Sequence, residues 1–220
     1  YDPVAGGAAL VVIDAGDEVY ALAVFKDPAT GEPRLACGLF WDGKVLIFDP
    51  VAGGEELVVI DIGSEVFALT VFTDKTGAQR LACGDADGKV RVFDLVAGGE
   101  ALVVLDLDDS ASALAVFTDP ATGAPRLACA WTSGEKVLVF DPVAGGNALF
   151  VLDICSDGRA MAVVRAMAVR LQGMRLACGC ENGEVRIYDP PPATQGLHAS
   201  RTTGRCESLI RSWVVTRCLC

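Results

Sequence analysis

The sequence repeats itself. Arg-Leu-Ala-Cys occurs at 34–37, 80–83, 126–129 and 175–178, which spaces its cysteines 46, 46 and 49 residues apart. An aromatic-Asp pair recurs in step, as Tyr1-Asp2, Phe48-Asp49, Phe93-Asp94, Phe140-Asp141 and Tyr188-Asp189, and the first four lead into Val-Ala-Gly-Gly. A chain with this period builds its fold from copies of one small unit, each of which needs its neighbours to bury its apolar surface.

Inside each unit the apolar residues fall into four short runs divided by turn chemistry, the pattern of strands rather than helices. In the first unit the runs are about 9–13, 19–25, 34–40 and 44–48. Asp27-Pro28-Ala29-Thr30-Gly31 joins the second run to the third, and Asp42-Gly43, a hairpin dipeptide, joins the third to the fourth. Asp87-Gly88, Ser133-Gly134 and Asn182-Gly183 hold the same place in later units. The fourth unit contains a near-duplication, Arg159-Ala160-Met161-Ala162-Val163 followed by Arg165-Ala166-Met167-Ala168-Val169, which predicts a bulge or a lengthened hairpin.

These features predict an all-β chain of four-stranded antiparallel blades arranged as a β-propeller, with repeat units at about 4–50, 51–95, 96–142 and 143–190. Over residues 1–190 the sequence resembles the WD-repeat family. The resemblance rests on the aromatic-Asp closing each third strand, the Asp-Gly hairpins before it, and the innermost-strand core Val19-Tyr20-Ala21-Leu22-Ala23-Val24. The blades are degenerate, because the family's Gly-His dipeptide is replaced by Ala15-Gly16-Asp17, Ile62-Gly63-Ser64, Leu107-Asp108-Asp109 and Ile154-Cys155-Ser156, and the Trp of Trp-Asp has become Phe or Tyr. The resemblance implies a non-catalytic scaffold that recruits proteins.

Run 9–13 has the phase of an outermost strand whose other three strands come from elsewhere. In a closed four-blade ring, the last unit's strands near 159–170, 175–180 and 184–188 would accept it; in an open arc, a second copy or further blades would. The opening Tyr1-Asp2 carries the expectation that the sequence belongs to something longer. Residues 191–220 break from the repeat and are basic, with Arg201, Arg205, Arg211 and Arg217 against Glu207. This tail either packs on the edge of the last blade, is disordered, or is not native coding sequence.

A formal net charge of −11, from 18 Lys+Arg against 29 Asp+Glu, disfavours nucleic acid and anionic membranes as partners. Nine cysteines without a secretory signal point to a reducing, cytoplasmic compartment.

Candidates for chemistry are few. His198, the only histidine, lies in the tail. Cys37, Cys83, Cys129 and Cys178 could suggest a metal centre, but equivalent blade positions are spread about the axis, which favours small buried thiols. Cys178-Gly179-Cys180 and Cys218-Leu219-Cys220 are closer pairs with nothing to bring them together. Asp14, Asp61, Asp106 and Asp153 read as turn-forming acids at the ends of the outermost strands. No metal, cofactor or catalytic residue is expected.

A binding surface remains. The connections entering the innermost strands and the hairpins between strands two and three share one end of the sheets, which collects Asp17, Glu18, Tyr20, Trp41, Asp42, Glu65, Phe67, Asp85, Asp87, Trp131, Arg159 and Glu181. This rim mixes aromatic anchors with carboxylates and is expected to take basic or mixed peptides, with self-association through open blade edges as a further interaction. The competing readings are a propeller hydrolase or lyase with a channel metal, and a fragment without independent function.

Overall fold

The computed structural model describes residues 6–95, 98–131, 135–153, 158–168, 171–180 and 185–188. The tail therefore lies outside the described residues. Among those described, fifteen strands form four antiparallel sheets. Sheet 1 contains β1 (Val19–Lys26), β2 (Pro33–Leu39), β3 (Lys44–Phe48) and β4 (Val58–Asp61), in that spatial order. Sheet 2 is β5 (Val66–Thr73), β6 (Gln79–Asp85), β7 (Lys89–Asp94) and β8 (Val103–Asp106). Sheet 3 is β9 (Ala111–Thr118), β10 (Pro125–Trp131), β11 (Lys136–Phe140) and β12 (Phe150–Asp153). Sheet 4 has three strands, β13 (Gly158–Ala168), β14 (Leu171–Cys180) and β15 (Val185–Tyr188).

The fourth strand of each complete sheet comes from beyond the Val-Ala-Gly-Gly connection, so a sheet straddles two sequence units. The connection is shaped by the aspartate of the aromatic-Asp pair. Asp49 accepts the Val51 and Ala52 N–H groups at 2.8 and 2.9 Å, and Asp141 accepts those of Val143 and Ala144 at 3.0 and 2.9 Å. These Asx turns reverse the chain toward the fourth strand. In sheet 4 the near-duplication is a lengthened hairpin, with pairing continuous from Val164↔Arg175 out to Ala168↔Leu171.

Strand alternation gives each sheet two apolar faces, and successive sheets cover them. Between sheets 1 and 2, Ala21, Phe25, Ala36, Val45 and Ile47 meet Val66, Leu81, Cys83 and Phe93. Phe72, Ala82, Val90 and Val92 meet Leu127, Cys129 and Phe140 between sheets 2 and 3. Ala113, Ala115, Ala128, Val137 and Val139 meet Leu176 and Cys178 between sheets 3 and 4. Each fully buried Val, Leu, Ile or Phe contributes about 1.5–3 kcal/mol, so these faces dominate stability.

Run 9–13, expected as a strand, is not one here. Ile13 and Ala15 instead lie on the outer face of sheet 1, against Cys37, Leu39, Leu46 and Phe48.

Close approach between sheets demands small residues. A methyl added at Gly84 would sit 2.8 Å from the Ala111 Cβ and 2.9 Å from the Ala111 carbonyl oxygen. Gly84→Ala is expected to lower stability by about 1–3 kcal/mol in urea denaturation, because the backbone carbonyl has little room to yield.

The end of sheets 1, 2 and 3 away from the hairpins between strands two and three is clamped by the arginine of Arg-Leu-Ala-Cys. Arg126 bridges Asp119 at 3.2 Å and Asp141 at 2.8 Å. Arg80 joins Asp74 and Asp94, and Arg34 lies 3.5 Å from Asp27 and 3.6 Å from Asp49. Hydrogen bonds from the Ala29 and Ala52 N–H groups are the largest influences that hold Asp27 and Asp49 below the usual carboxylate range. The Thr76 hydroxyl does the same for Asp74. Burial alone would raise Asp119 and Asp141, but turn N–H groups and Arg126 outweigh it and lower both.

A lowered native pKa contributes stability above the unfolded value, about 4, that is lost as pH falls through the native value. Thermal unfolding should therefore shift little between pH 8 and pH 5 and fall steeply below about pH 4. Arg126→Ala, which strands the buried Asp119, should cost about 2 kcal/mol. Arg34→Ala should cost less, since both of its partners are more open to water; equal losses would show that these clamps contribute no burial-dependent stability.

Candidate functional site

The end opposite the clamps is organised by three devices. The first is a β-bulge near the start of every innermost strand. Val19 pairs with Leu39 and Ala21 with Gly38, leaving Tyr20 as the extra residue, and the same break falls at Phe67, Ser112 and Arg159. A bulge bends the strand and re-aims one side chain, and at the first bulge it leaves Tyr20 54% exposed.

The second device is the hairpin between strands two and three, tied to the connection that enters an innermost strand. Asp17 accepts the Asp42 N–H at 2.8 Å, and the Phe40 N–H donates to the Glu18 carbonyl at 3.0 Å. Gly43, with φ at +59°, is so close to the next connection that a Cβ would stand 2.8 Å from the Ser64 nitrogen. In sheet 2, the Ala86 N–H donates to the Glu65 carbonyl at 3.0 Å. The expected sharing of one end by these loops is thus realised.

The third device is an aromatic cluster. Tyr20 stacks on Phe40 with centroids 4.4 Å apart, Trp41 meets Phe40 edge-on at 4.6 Å, and Phe67 approaches Phe40 at 5.7 Å and Tyr20 at 6.1 Å. Aromatic pairs in these geometries reinforce one another beyond simple burial. Yet the cluster stays open to water, with Trp41 70% and Tyr20 54% exposed. Asp17, Glu18, Asp42 and Glu65 neighbour its residues in the chain; Lys44 lies 3.6 Å from Asp42, and the Ser64 hydroxyl donates to Glu65 at 3.3 Å.

The structure sorts the other expected rim residues. Asp87 is exposed on the sheet 2 hairpin, while Asp85 is fully buried and ion-paired with Arg91, and Trp131 is buried. Asp85 and Trp131 stand two residues beyond Cys83 and Cys129, so strand alternation turns them to the same inward face. Their expected place on the surface is corrected accordingly. Arg159 marks the fourth bulge, but its side chain and Glu181 lie outside the described residues. Phe40 was missed by sequence reasoning. Its position as the last residue of a predicted strand, directly before Trp41-Asp42-Gly43, was the available signal.

The repeat cysteines are divided among four separate packing clusters: Cys37, Cys83, Cys129 and Cys178 never share one. Among the described residues no group of three or more His, Cys, Asp or Glu is placed to hold a metal. Asp14, Asp61, Asp106 and Asp153 are exposed, with Asp14 accepting the Gly16 N–H at 2.9 Å. Burial pushes the Cys83 thiol up to about 12, against a small opposing influence of Arg91, and burial also raises Cys37 and Cys129. No helix among the described residues is long and apolar enough to cross a membrane.

No protein-family model matches the chain, and no curated protein matches it. Solved structures do. The computationally designed Ika4 protein superposes with a TM-score of 0.58 at 23% identity, covering 84% of this chain and 99% of that one. BBS1N, crystallised in complex with ARL6DN, superposes with a TM-score of 0.61 at 20% identity over 81% of this chain and 54% of its own. The designed Ika8 protein gives 0.56 at 23% identity, over 78% of this chain and 46% of its own. The chain thus spans about half the length of the BBS1N and Ika8 chains. This likeness concerns the fold, which is propeller-like.

Thiol labelling checks the burial of the repeat cysteines. With the native protein at pH 8, Cys37, Cys83 and Cys129 should resist alkylation, while denaturant should open all three. Peptide mapping that finds Cys83 or Cys129 modified as fast as an unfolded thiol would contradict the packing described.

Proposed function

We propose that the four sheets are blades of a WD-type propeller arc, and that the chain is a non-catalytic protein-interaction module whose rim binds basic or mixed peptides. The aromatic cluster of Tyr20, Phe40, Trp41 and Phe67, open to water and flanked in the chain by Asp17, Glu18, Asp42 and Glu65, carries this reading. Aromatic faces attract Lys and Arg side chains, and nearby carboxylates add directional, charge-assisted hydrogen bonds. The apolar body of the cluster can also take up the stem of such a side chain, so one site satisfies both parts of a long cation.

Location supports it further. The cluster is built from bulges and hairpins on a stacked scaffold, where side chains can be presented without disturbing the apolar interfaces beneath. Its charge agrees with the net balance of −11, which favours cationic partners and speeds their encounter. Two of the similar folds are known from complexes, BBS1N with ARL6DN and a mitotic checkpoint complex.

An array of Lys- and Arg-containing peptides tests the reading directly. Binding of the selected peptides should weaken with salt. Trp41→Ala should reduce affinity about tenfold or more, and the double change Glu18→Gln with Glu65→Gln should do so by a similar factor. Lys75→Ala, at the clamped end, should leave binding unchanged. Peptides that bind all three variants equally would place the site elsewhere.

A further inference from the structure

We propose that a second copy of this chain docks on the outer face of sheet 1, its sheet 4 entering a socket formed by Leu10–Asp14 and the open side of β1. This joint uses residues other than the rim cluster and stands apart from the rim reading.

The socket has the form of an internal interface with three strands missing. Leu10-Val11-Val12-Ile13-Asp14 aligns with Leu57-Val58-Val59-Ile60-Asp61, which supplies the fourth strand of sheet 1. Its position matches as well as its sequence. Ile60 and Ile62 pack on the Leu81, Cys83 and Phe93 face of sheet 2; Ile13 and Ala15 pack on the Leu35, Cys37 and Phe48 face of sheet 1. Val103, in the fourth strand of sheet 2, lies 3.1 Å from a Cβ built on Gly145 beside sheet 3. Val11 lies 2.9 Å from the one on Gly53 beside sheet 1. Residues 10–14 therefore already stand where the fourth strand of a preceding sheet would stand.

What that sheet would cover is open. Leu22 and Val24 are 60% and 71% exposed, whereas their counterparts Leu69 and Val71 pack against sheet 1, and Leu114 and Val116 against sheet 2. Val12 is 83% exposed.

Sheet 4 fits this socket. It has three strands, β15 is its edge among the described residues, and Val185 and Ile187 on the face away from sheet 3 are exposed. These correspond to Val45 and Ile47, which bury against sheet 2. In one molecule the Leu22 and Val24 face and the Ile187 face are open together, so its own two ends do not meet. A second copy brings them together twice, by one joint repeated about a two-fold axis, and leaves neither end bare.

The test uses the 220-residue chain. Light scattering after size exclusion should give the mass of a dimer, and Leu22→Glu with Val24→Glu, at exposed positions that leave the fold intact by circular dichroism, should halve it. By the register of Val58 against Ile47, Val11→Cys with Ile187→Cys should form a disulfide between chains, seen as a covalent dimer on a non-reducing gel and mapped by mass spectrometry. A monomeric wild type, a dimer indifferent to the glutamates, or a disulfide that joins the two introduced thiols within one chain would each overturn the proposal.

Discussion

A four-stranded sheet with apolar residues on both faces cannot stand alone in water, and everything else in this molecule follows from covering those faces. Sheets 1, 2 and 3 each present small residues such as Ala36, Ala82 and Ala128 toward the following sheet, which offers Leu and Phe such as Leu81 and Phe93 in return. Gly84 sharpens the fit where Ala111 comes closest. Apolar packing supplies the association, and the repeat ensures that one solution serves at each junction.

The two ends of the sheets divide the remaining work. At one end, Asp-Arg-Asp clamps tie the second-strand arginine to two turns, giving polar groups there a partner and fixing the reversal into the fourth strand. At the other end, bulges and Asp-Gly hairpins spend their hydrogen bonds on backbone positions and leave side chains facing outward. This asymmetry concentrates the ion pairs at one end, so side chains at the other end can vary while the clamped end stays the same.

Much of this was legible in the chain. The 46-residue spacing of Arg-Leu-Ala-Cys, the turn chemistry and the alternation placed nearly every strand, because local pattern and tertiary burial agree in a repeat. The rim was legible in part: Tyr20, Trp41 and Phe67 emerge together, whereas Asp85 and Trp131 turn inward by two-residue alternation from a buried cysteine. The bulges that move Tyr20 and Phe67 out of register, and the stacking that recruits Phe40, depend on backbone geometry that residue types do not announce.

The sequence by itself determined the unit, its number and its turns, since periodicity and the backbone preferences of Gly, Pro and Asp act within a few residues. Only the tertiary structure decided which residues face which neighbour at the ends of the stack. Leu10–Asp14 has the composition of a strand, but a strand exists only where another chain segment accepts its hydrogen bonds. Among the described residues no strand pairs with it, and it lies as extended chain with Ile13 and Ala15 against the outer face of sheet 1.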